Sequence, residues 1–510
     1  MVSGARRRQA LDVRSLDRRE LLTRAAGAIV AGSVVGRLPD VAWAAGALDP
    51  RVAELRRLVQ GTVLAPGSAG YDGARVVYNE RFDGVRPLAV VRVQGIKDVQ
   101  AVVRWAQKRG VSVVPRSGGH SYGGYSTGAG AVVDLSLLHG IAIEGKSVFV
   151  GAGSRLIDVY AALAAKGGTI PAGSCATVGI GGLALGGGVG LASRKLGLTS
   201  DNVQSVRIVT ADGRVLDCDA RHNADLFWAC RGGGGRNFGI VTRLGLRVSP
   251  ASTTSYFIGT WPWSAAGALV PAWQHWAPQA ADAVTTICRL ATGGSEPSLQ
   301  VFGQYFGPES QINGLVAPLA AAAPPTTLST GTSGYLDLIL RWAGCLGTSQ
   351  AACHLVSEHG TLARATFAAK SDYVGKPFTA AAVQALQAQL EARNSAGHGS
   401  GALIMDSYGG AIARVQPDAT AFVHRSPLCS MQYLAYWGAS EHEAASLAWI
   451  RGFHKAMRPY VTGAAYQNYI DPDLTDWQHA YYGSNYRRLV DVKRRYDPDR
   501  LFRFPQAVGS

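Results

Sequence analysis

Charged residues are scarce in this chain, and an apolar run of membrane-spanning length is lacking. Of 510 residues, 17% are charged and 47% are hydrophobic, so the chain can bury a large core and is not mainly disordered. The apolar stretch between Arg24 and Arg37 holds twelve residues. A bilayer span needs about 20, so we expect no permanent membrane anchor. There is no internal repeat and no basic tract after the first residues. The formal charge of +15 suits a partner or substrate that is acidic, but it more often reflects solubility alone, and no nucleic acid partner is expected.

Residues 1–44 are predicted to be an export signal. Basic residues lead to Arg18-Arg19, the weakly apolar stretch follows, and Ala42-Trp43-Ala44 has the small-x-small form of a cleavage site. This order is typical of a twin-arginine signal, and a basic amphipathic N-terminus is the alternative. We therefore expect export by the twin-arginine machinery to the extracellular space or the cell envelope. That route carries folded proteins, often with a cofactor already installed, so cofactor-binding motifs are of interest.

The seven cysteines are an odd number for an exported protein, in which disulfide pairs are expected. There is no CxxC motif and no His/Cys spacing typical of zinc, so no metal site is predicted. Cys345 and Cys353 are the best local candidates for a disulfide. The sequence leaves the other pairings open.

Strands and helices are mixed along the chain, and antiparallel hairpins are frequent. The apolar patterns predict strands at 89–93, 111–115, 131–135 and 430–437, hairpins at 141–150 and 203–217, and helices at 98–109, 154–166 and 380–392. Ser154 is the predicted cap of its helix, and the Ala/Pro/Thr-rich residues 317–333 are predicted to be a surface loop. These elements favour an α+β fold over a doubly wound parallel sheet.

Two nucleotide-binding patterns match the sequence in letters only. Residues 140–147 (GIAIEGKS) satisfy the phosphate-loop pattern GxxxxGK[ST], but the residues around Gly145-Lys146 alternate like strands, which predicts a β-turn. Residues 179–184 (GIGGLA) match the dinucleotide fingerprint weakly, because no buried apolar strand precedes them.

The informative segments are two glycine-rich stretches, each of which contains a nucleophile. The first, residues 116–126 (RSGGHSYGGYS), follows a strand directly, so its free N–H groups and Arg116 could hold an anion such as a pyrophosphate. The second, residues 173–179 (GSCATVG), leads into further glycines that let the backbone lie against a flat ligand. The nucleophiles are His120 and Cys175.

These segments resemble the family of FAD-linked oxidases that includes berberine bridge enzyme, gluco-oligosaccharide oxidase and aclacinomycin oxidoreductase. In that family, the histidine matched by His120 is bonded to the flavin 8α-methyl carbon, and the cysteine matched by Cys175 to flavin carbon 6. Residues 225–242 resemble a third family signature, and residues 481–505 resemble the C-terminal element. One thioether to the flavin would leave six cysteines, an even number.

The resemblance covers essentially the whole mature chain and implies an α+β two-domain flavoprotein. It implies a vanillyl-alcohol oxidase-type FAD-binding domain at 48–250, an α+β substrate domain at 251–454, and a berberine-bridge-type element at 455–510 that completes the FAD domain. By resemblance, the FAD contacts are His120, Cys175, Arg116, Ser117, Gly118, Gly119, Ser121, Gly124, Gly173, Val178, Gly179, Gly182, Gly187, Ile240, Tyr482 and Asn485.

Three residues are predicted to be catalytic. A flavin oxidase needs a general base near flavin nitrogen 5, and the resemblance assigns that role to Tyr469. A phenol with a pKa near 10 is a poor base at neutral pH, so a cation or hydrogen-bond donor is expected beside it. Asp406 matches a position that hydrogen-bonds this tyrosine in sugar oxidases, and it either orients the hydroxyl or accepts its proton. Tyr433 matches the position of the catalytic glutamate of berberine bridge enzyme, a departure that disfavours alkaloid ring closure.

The predicted function is an exported oxidase with FAD bound covalently through both His120 and Cys175. It would oxidise an alcohol or hemiacetal of an oligosaccharide or glycosylated natural product and pass the electrons to O2, giving hydrogen peroxide. Tyr122 and Tyr125 are predicted to stack on the substrate. Small Gly173 is expected to leave oxygen a path, whereas the effect of Arg236, which replaces a glycine usual in the third signature, is open. The alternatives are a dehydrogenase with another acceptor and a non-catalytic cell-surface binding protein.

Overall fold

The computed structural model describes residues 49–510, so the predicted export signal lies outside the described residues. The strands of the first half are β1 (Thr62–Leu64), β2 (Ala89–Arg92), β3 (Val113–Arg116), β4 (Ala131–Asp134), β5 (Ile141–Glu144), β6 (Ser147–Gly151), β7 (Gly168–Thr169), β8 (Val203–Val209), β9 (Val215–Cys218), β10 (Ile240–Arg247) and β11 (Ser249–Pro250). Those of the second half are β12 (Thr254–Trp261), β13 (Val284–Ala291), β14 (Ser298–Tyr305), β15 (Thr327–Ser333), β16 (Phe367–Val374), β17 (Ser400–Ser407) and β18 (Cys429–Tyr436).

The helices vary from a single turn to seventeen residues. They are α1 (Pro50–Leu58), α2 (Tyr71–Arg75), α3 (Ile96–Arg109), α4 (Leu156–Ala164), α5 (Ile180–Leu185), α6 (Ser193–Leu196), α7 (Ala224–Ala229), α8 (Ala266–Trp276), α9 (Ile312–Ala322), α10 (Tyr335–Trp342), α11 (Ala380–Ala396), α12 (Gly410–Ala413), α13 (Glu443–Met457), α14 (Trp477–Tyr482) and α15 (Tyr486–Tyr496). Within residues 49–510, none of them combines the length and apolar character needed to cross a bilayer.

The first half of the chain builds two main sheets. One has the order β1-β2-β4-β3, in which β2, β4 and β3 run parallel and β1 pairs antiparallel to β2. The other has the order β5-β6-β10-β8-β9 and is antiparallel throughout. In it, Glu144 pairs with Ser147 across Gly145-Lys146, which confirms the predicted hairpin and excludes a phosphate loop there.

The second half builds one antiparallel sheet with the order β15-β12-β14-β13-β17-β18-β16. Side chains alternate between its two faces. One face packs with α8, α9, α11 and α13 into a core of its own, and the other face is directed toward the first half. Parallel and antiparallel sheets together confirm the predicted α+β class.

The main core of the first half also contains residues from later in the chain. Leu489 and Phe502 of the C-terminal segment and Tyr335 and Ile339 of α10 belong to it. The C-terminal residues therefore return to the first half, and part of the middle of the chain packs there as well.

Two local predictions were wrong. Helix α4 starts at Leu156 rather than at Ser154, because Arg155 adopts extended backbone and pairs with Gly179 as an isolated bridge. Residues 317–333 are not a loop. Their alanines continue α9, since alanine favours helix, and Thr327–Ser333 forms edge strand β15 against β12.

The disulfide between Cys345 and Cys353 is confirmed. If Cys175 is bonded to the flavin, six cysteines remain, but they do not all form pairs. Four of them are buried free thiols: Cys218, Cys230, Cys288 and Cys429. Strand β17 separates Cys288 on β13 from Cys429 on β18, which puts their backbones about 10 Å apart, beyond disulfide reach.

Candidate active site

A large cavity lies between the two glycine-rich stretches, the segment 467–470 and the inward face of the seven-stranded sheet. Most of the predicted site residues line it. They are Ser117, Gly118, Gly119, His120, Ser121, Tyr122, Tyr125, Gly173, Cys175, Val178, Gly179, Gly182, Asp406 and Tyr469. The fold thus brings residues from four separate parts of the sequence together in one cavity.

The two glycine-rich stretches touch each other through their backbones. A Cβ atom on Gly118 would lie 2.3 Å from the backbone nitrogen of Gly179, and one on Gly179 would lie 2.0 Å from Ser117 Oγ. Side chains at these positions would force the stretches apart, so glycine is required by close approach. Gly182 differs, since a Cβ there would meet no atom within 4 Å, and its backbone is open to a ligand.

His120 is held between the two stretches. Its Nε2 lies 3.0 Å from Thr177 Oγ1, and its ring stacks on Tyr78 with 4.1 Å between centroids. Thr177 is two residues after Cys175, which is half-buried in the same wall. The two predicted attachment residues therefore face one ligand-sized space, although they are 55 positions apart in the sequence.

Tyr469 stands among other tyrosines rather than beside a cation. Its ring stacks on Tyr122 and meets Tyr466 edge-on. Burial raises the pKa of Tyr469 well above the usual value of a phenol, and the nearby Asp406 carboxylate raises it further. Among residues 49–510, the groups that shift this pKa most include no cation, so the expected stabilisation of a phenolate is not found and the phenol is protonated at neutral pH.

Asp406 is the carboxylate of the cavity. It lies on β17 and points to the inward face of the sheet, where the only side-chain hydrogen bond of its carboxylate within residues 49–510 is with Ser430 Oγ, at 3.5 Å, and not with Tyr469. Burial raises the pKa of Asp406 to about 6. It is thus mostly ionised at neutral pH and takes up a proton in mild acid.

Arg116 is not available to an anion in this cavity. Its guanidinium donates to Asp134 Oδ2 at 2.9 Å and to the carbonyl of Ala74 at 2.6 Å, and the side chain is 6% exposed. The end of β3 places Asp134 of neighbouring β4 directly beside Arg116. Its charge is therefore paired with that carboxylate in this structure and is not directed at the cavity.

Five further predicted cofactor residues lie behind the cavity wall. Gly124 (φ +75°) and Gly187 (φ +122°) pack against Phe82 and Phe422. Ile240 is fully buried at the start of β10. Tyr482 donates to the carbonyl of Gly233, and Asn485 to that of Pro417. These five residues support the wall and do not form it.

Tyr433 also lies away from the cavity. Its side chain is fully buried in the core beneath the sheet, where the hydroxyl donates to Asp372 Oδ2 at 2.9 Å. The preceding residue, Gln432, is on the inward face and its Nε2 donates to the Tyr122 hydroxyl at 2.8 Å. Because successive strand residues point to opposite faces, β18 directs Gln432 toward the cavity side of the sheet and Tyr433 away from it.

Sequence reasoning missed the role of two residues. Gln432 could have been found by applying the period of two to β18, since polar Ser430 and Gln432 alternate with Met431 and Tyr433. Arg236 lines the cavity, and no local pattern around it indicates where its side chain points.

Comparisons with known proteins agree with this geometry. The profile of the family described as "FAD binding domain" matches residues 87–219, and that described as "Berberine and berberine like" matches residues 465–509. The chain is 31% identical over 458 residues to the FAD-linked oxidoreductase YgaK of Bacillus subtilis, described as uncharacterized, covering 88% of this chain and 96% of that protein. This chain belongs to the berberine bridge enzyme-like family of FAD-linked oxidoreductases.

Other members of the berberine bridge enzyme-like family extend the match. The monolignol oxidoreductase AtBBE-like 13 of Arabidopsis thaliana is 32% identical over 447 residues, covering 81% of this chain and 82% of that protein. BBE-like 1 of Physcomitrella patens is similar with a TM-score of 0.82 at 34% identity, over 90% of this chain and 98% of that chain. A chitooligosaccharide oxidase has a TM-score of 0.82 at 26% identity, over 90% of this chain and 99% of that chain. The protein is an FAD-dependent oxidoreductase with the two-domain flavoprotein fold.

Proposed function

We propose that this protein is an exported oxidase whose FAD is linked covalently to both His120 and Cys175. The observation that carries the proposal is that both side chains face the cavity that also contains Tyr469 and Asp406. The FAD domain would comprise residues 48–250 and 455–510, and residues 251–454 would hold the substrate. The proposal of export rests on the sequence of residues 1–44 alone.

The residues present fit a large flat cofactor with a charged tail. Glycine backbone lines the cavity on several sides, and a Cβ at Gly182 would project into open space, so N–H groups and flat peptide surface are accessible to a ligand. When bound, FAD would accept a hydride from the substrate carbon and be reoxidised by O2.

Asp406 and Tyr469 would remove the hydroxyl proton of the substrate. The phenol of Tyr469 is protonated at neutral pH, whereas Asp406, with a pKa raised to about 6, is mostly ionised. We therefore assign Asp406 as the final proton acceptor and Tyr469 as the group that passes the proton on. A carboxylate with a pKa near the working pH is an efficient general base.

Gly173 supports oxygen as the electron acceptor. A Cβ at this position would find its nearest neighbours, the Cδ1 atoms of Leu183 and Leu156, at 3.5 and 3.6 Å. Without that Cβ, a small molecule has room beside Cys175. The two electrons and two protons lost by an alcohol would then appear in hydrogen peroxide.

The substrate is proposed to be an alcohol or hemiacetal of an oligosaccharide or a glycosylated natural product. Gln432 and Asp406 put an amide and a carboxylate on the inward face of the sheet, and Tyr122 and Tyr469 add aromatic surface. Such a mixture of hydrogen-bonding groups and aromatic rings suits sugar rings. One family member is named a chitooligosaccharide oxidase, and another a monolignol oxidoreductase.

The covalent linkages are tested by the absorption spectrum of the protein before and after acid precipitation. We expect the wild-type pellet to remain yellow, His120→Ala and Cys175→Ala to retain flavin through the other linkage, and the double variant to release it. A folded wild-type protein without colour would reject the oxidase and leave a non-catalytic binding protein.

The acceptor is tested by stopped-flow reoxidation of the substrate-reduced protein in air-saturated buffer. Rapid recovery of the oxidised spectrum with stoichiometric hydrogen peroxide is expected. Recovery that is slow in air but fast with a quinone would identify a dehydrogenase instead. Screening oligosaccharides against aromatic alcohols by peroxide formation would then define the substrate class.

A further inference from the structure

Arg236 occupies a backbone conformation that favours glycine. It follows four glycines, and its φ is +62°, in the left-handed region. Residues with a Cβ are disfavoured there. A strained backbone at the wall of a cavity suggests a function for the side chain that keeps it there.

The guanidinium of Arg236 is poorly satisfied by the protein itself. Its Nη1 donates to the carbonyl of Tyr125 at a long 3.3 Å, and the group lies 5.5 Å from the centroid of the Phe504 ring. Its Nε is buried with no hydrogen-bond partner in the part of the chain that the structure describes. Buried arginine nitrogens normally have acceptors, so an acceptor that the polypeptide does not supply is expected here.

The charge of the cavity indicates what this acceptor is. Among residues 49–510, Arg236 is the only lysine or arginine that lines the cavity, and Asp406 is the only carboxylate. The FAD that belongs to this family carries two negative charges on its pyrophosphate. The glycine N–H groups carry only partial positive charges, which do not neutralise this charge, and Arg116 already forms an ion pair with Asp134.

We propose that Arg236 is the cation that binds the pyrophosphate of FAD in this protein. The inference rests on the proposed use of this cavity as the FAD site. A charge-assisted hydrogen bond from a planar guanidinium suits phosphate oxygens, and binding would satisfy the orphaned nitrogen. The affinity gained offsets the backbone strain at this position.

The test uses binding rather than activity. The His120→Ala/Cys175→Ala protein, freed of flavin, is titrated with FAD and with riboflavin, which has the same ring system but no phosphate, by quenching of flavin fluorescence. Arg236→Gln, Arg236→Lys and Arg236→Gly are compared in that background. Arg231→Gln is the matched control, since Arg231 belongs to the same stretch but contacts Phe227 and Ala419 outside the cavity.

We expect Arg236→Gln to weaken FAD binding by about 10- to 100-fold and to leave riboflavin binding within twofold. Arg236→Lys should retain most of the FAD affinity, and Arg231→Gln all of it. Arg236→Gly should lose FAD affinity while raising the melting temperature of the flavin-free protein by about 1–2 °C, because the backbone strain is relieved. A lower FAD affinity together with a higher melting temperature would show that Arg236→Gly loses a binding group and does not lose its fold.

Three results would overturn the assignment. If folded Arg236→Gln bound FAD with unchanged affinity, Arg236 would not contribute to FAD binding. Equal weakening of FAD and riboflavin would assign its charge to the flavin ring. If the parent protein bound neither flavin, the cavity would not be the FAD site, and both this inference and the proposed function would fail.

Discussion

The phenol rings of Tyr122 and Tyr469 stack face to face, with 5.3 Å between their centroids and 5° between their planes. Tyr122 is itself fixed by Gln432, whose amide donates to its hydroxyl. The ring proposed to move the substrate proton is therefore oriented by a chain of contacts that begins on the seven-stranded sheet.

Replacing each ring in turn should distinguish the residue that transfers the proton, Tyr469, from the residue that orients it, Tyr122. We expect Tyr469→Phe to lower kcat by about 10²- to 10⁴-fold, the range of general acid–base catalysis. Tyr122→Leu should lower it by only about 3- to 10-fold, because an aromatic pair contributes about 0.5–1.5 kcal/mol. Tyr122→Phe keeps the ring of the stack and removes only the hydroxyl that Gln432 binds, so it serves as the comparison for loss of the ring. The measurement is steady-state kinetics on variants of equal flavin content. A larger decrease in kcat for Tyr122→Leu than for Tyr469→Phe would mean that Tyr122, and not Tyr469, takes part in the proton transfer.

The raised pKa of Asp406 predicts a pH dependence of activity. The carboxylate is protonated as the pH falls through about 6, so kcat/KM should decrease below that pH. Asp406→Asn should remove this acidic limb and lower the rate at pH 7.5 by at least tenfold. Asp337→Asn, a change on the exposed face of α10, should leave the profile intact. A pH profile that is flat from 5 to 8 in the wild type would argue against Asp406 as acceptor.

The same carboxylate should reduce stability at neutral pH. The pKa of Asp406 in the folded protein, about 6, is above the ordinary value of an aspartate. Between about pH 4 and 6, the folded state therefore binds more protons than the unfolded state, and stability is lost as the pH rises through this range. Asp406→Asn should therefore raise the free energy of unfolding by up to about 3 kcal/mol at pH 7.5, and much less at pH 4. Urea unfolding at the two pH values measures the difference. Equal effects at both values would contradict the linkage.

Arg194 joins the two halves of the molecule. It is 1% exposed and donates to backbone carbonyls of Tyr408, Ala281, Val284, Pro278 and Ala280. Arg194→Met removes five hydrogen bonds to these carbonyls, so we expect a loss of about 3–5 kcal/mol in unfolding free energy. Arg414→Ala breaks an exposed pair with Asp282 and should cost less than about 1 kcal/mol. Similar urea midpoints for the two variants would show that Arg194 is not a structural link.

The disulfide should stabilise the segment that follows α10. Cys345 and Cys353 are eight positions apart, and closing a loop of that length contributes about 2–3 kcal/mol in the chain-entropy account. The Cys345→Ser/Cys353→Ser variant should lose this amount and become insensitive to reductant, whereas reduction should lower the stability of the wild type alone. An effect of reductant on the double variant would indicate that another cysteine pair is involved.

Local sequence determined much of this protein. The hairpin at Gly145-Lys146, the helix at 96–109 and the disulfide follow from turn chemistry, apolar period and short separation. The two glycine-rich stretches with His120 and Cys175 predicted both the family and the cavity, because close backbone approach requires glycine wherever the stretches lie in the chain.

Tertiary structure alone decided which side chains reach the cavity. Arg116 is withdrawn by Asp134, while Arg236 enters. Gln432 faces Tyr122, while Tyr433 faces Asp372. These outcomes depend on strand register and on partners distant in sequence. A shift of one residue exchanges the faces of a strand, and a charge pairs with whichever partner the packed elements bring near. No local pattern in the sequence contains that information.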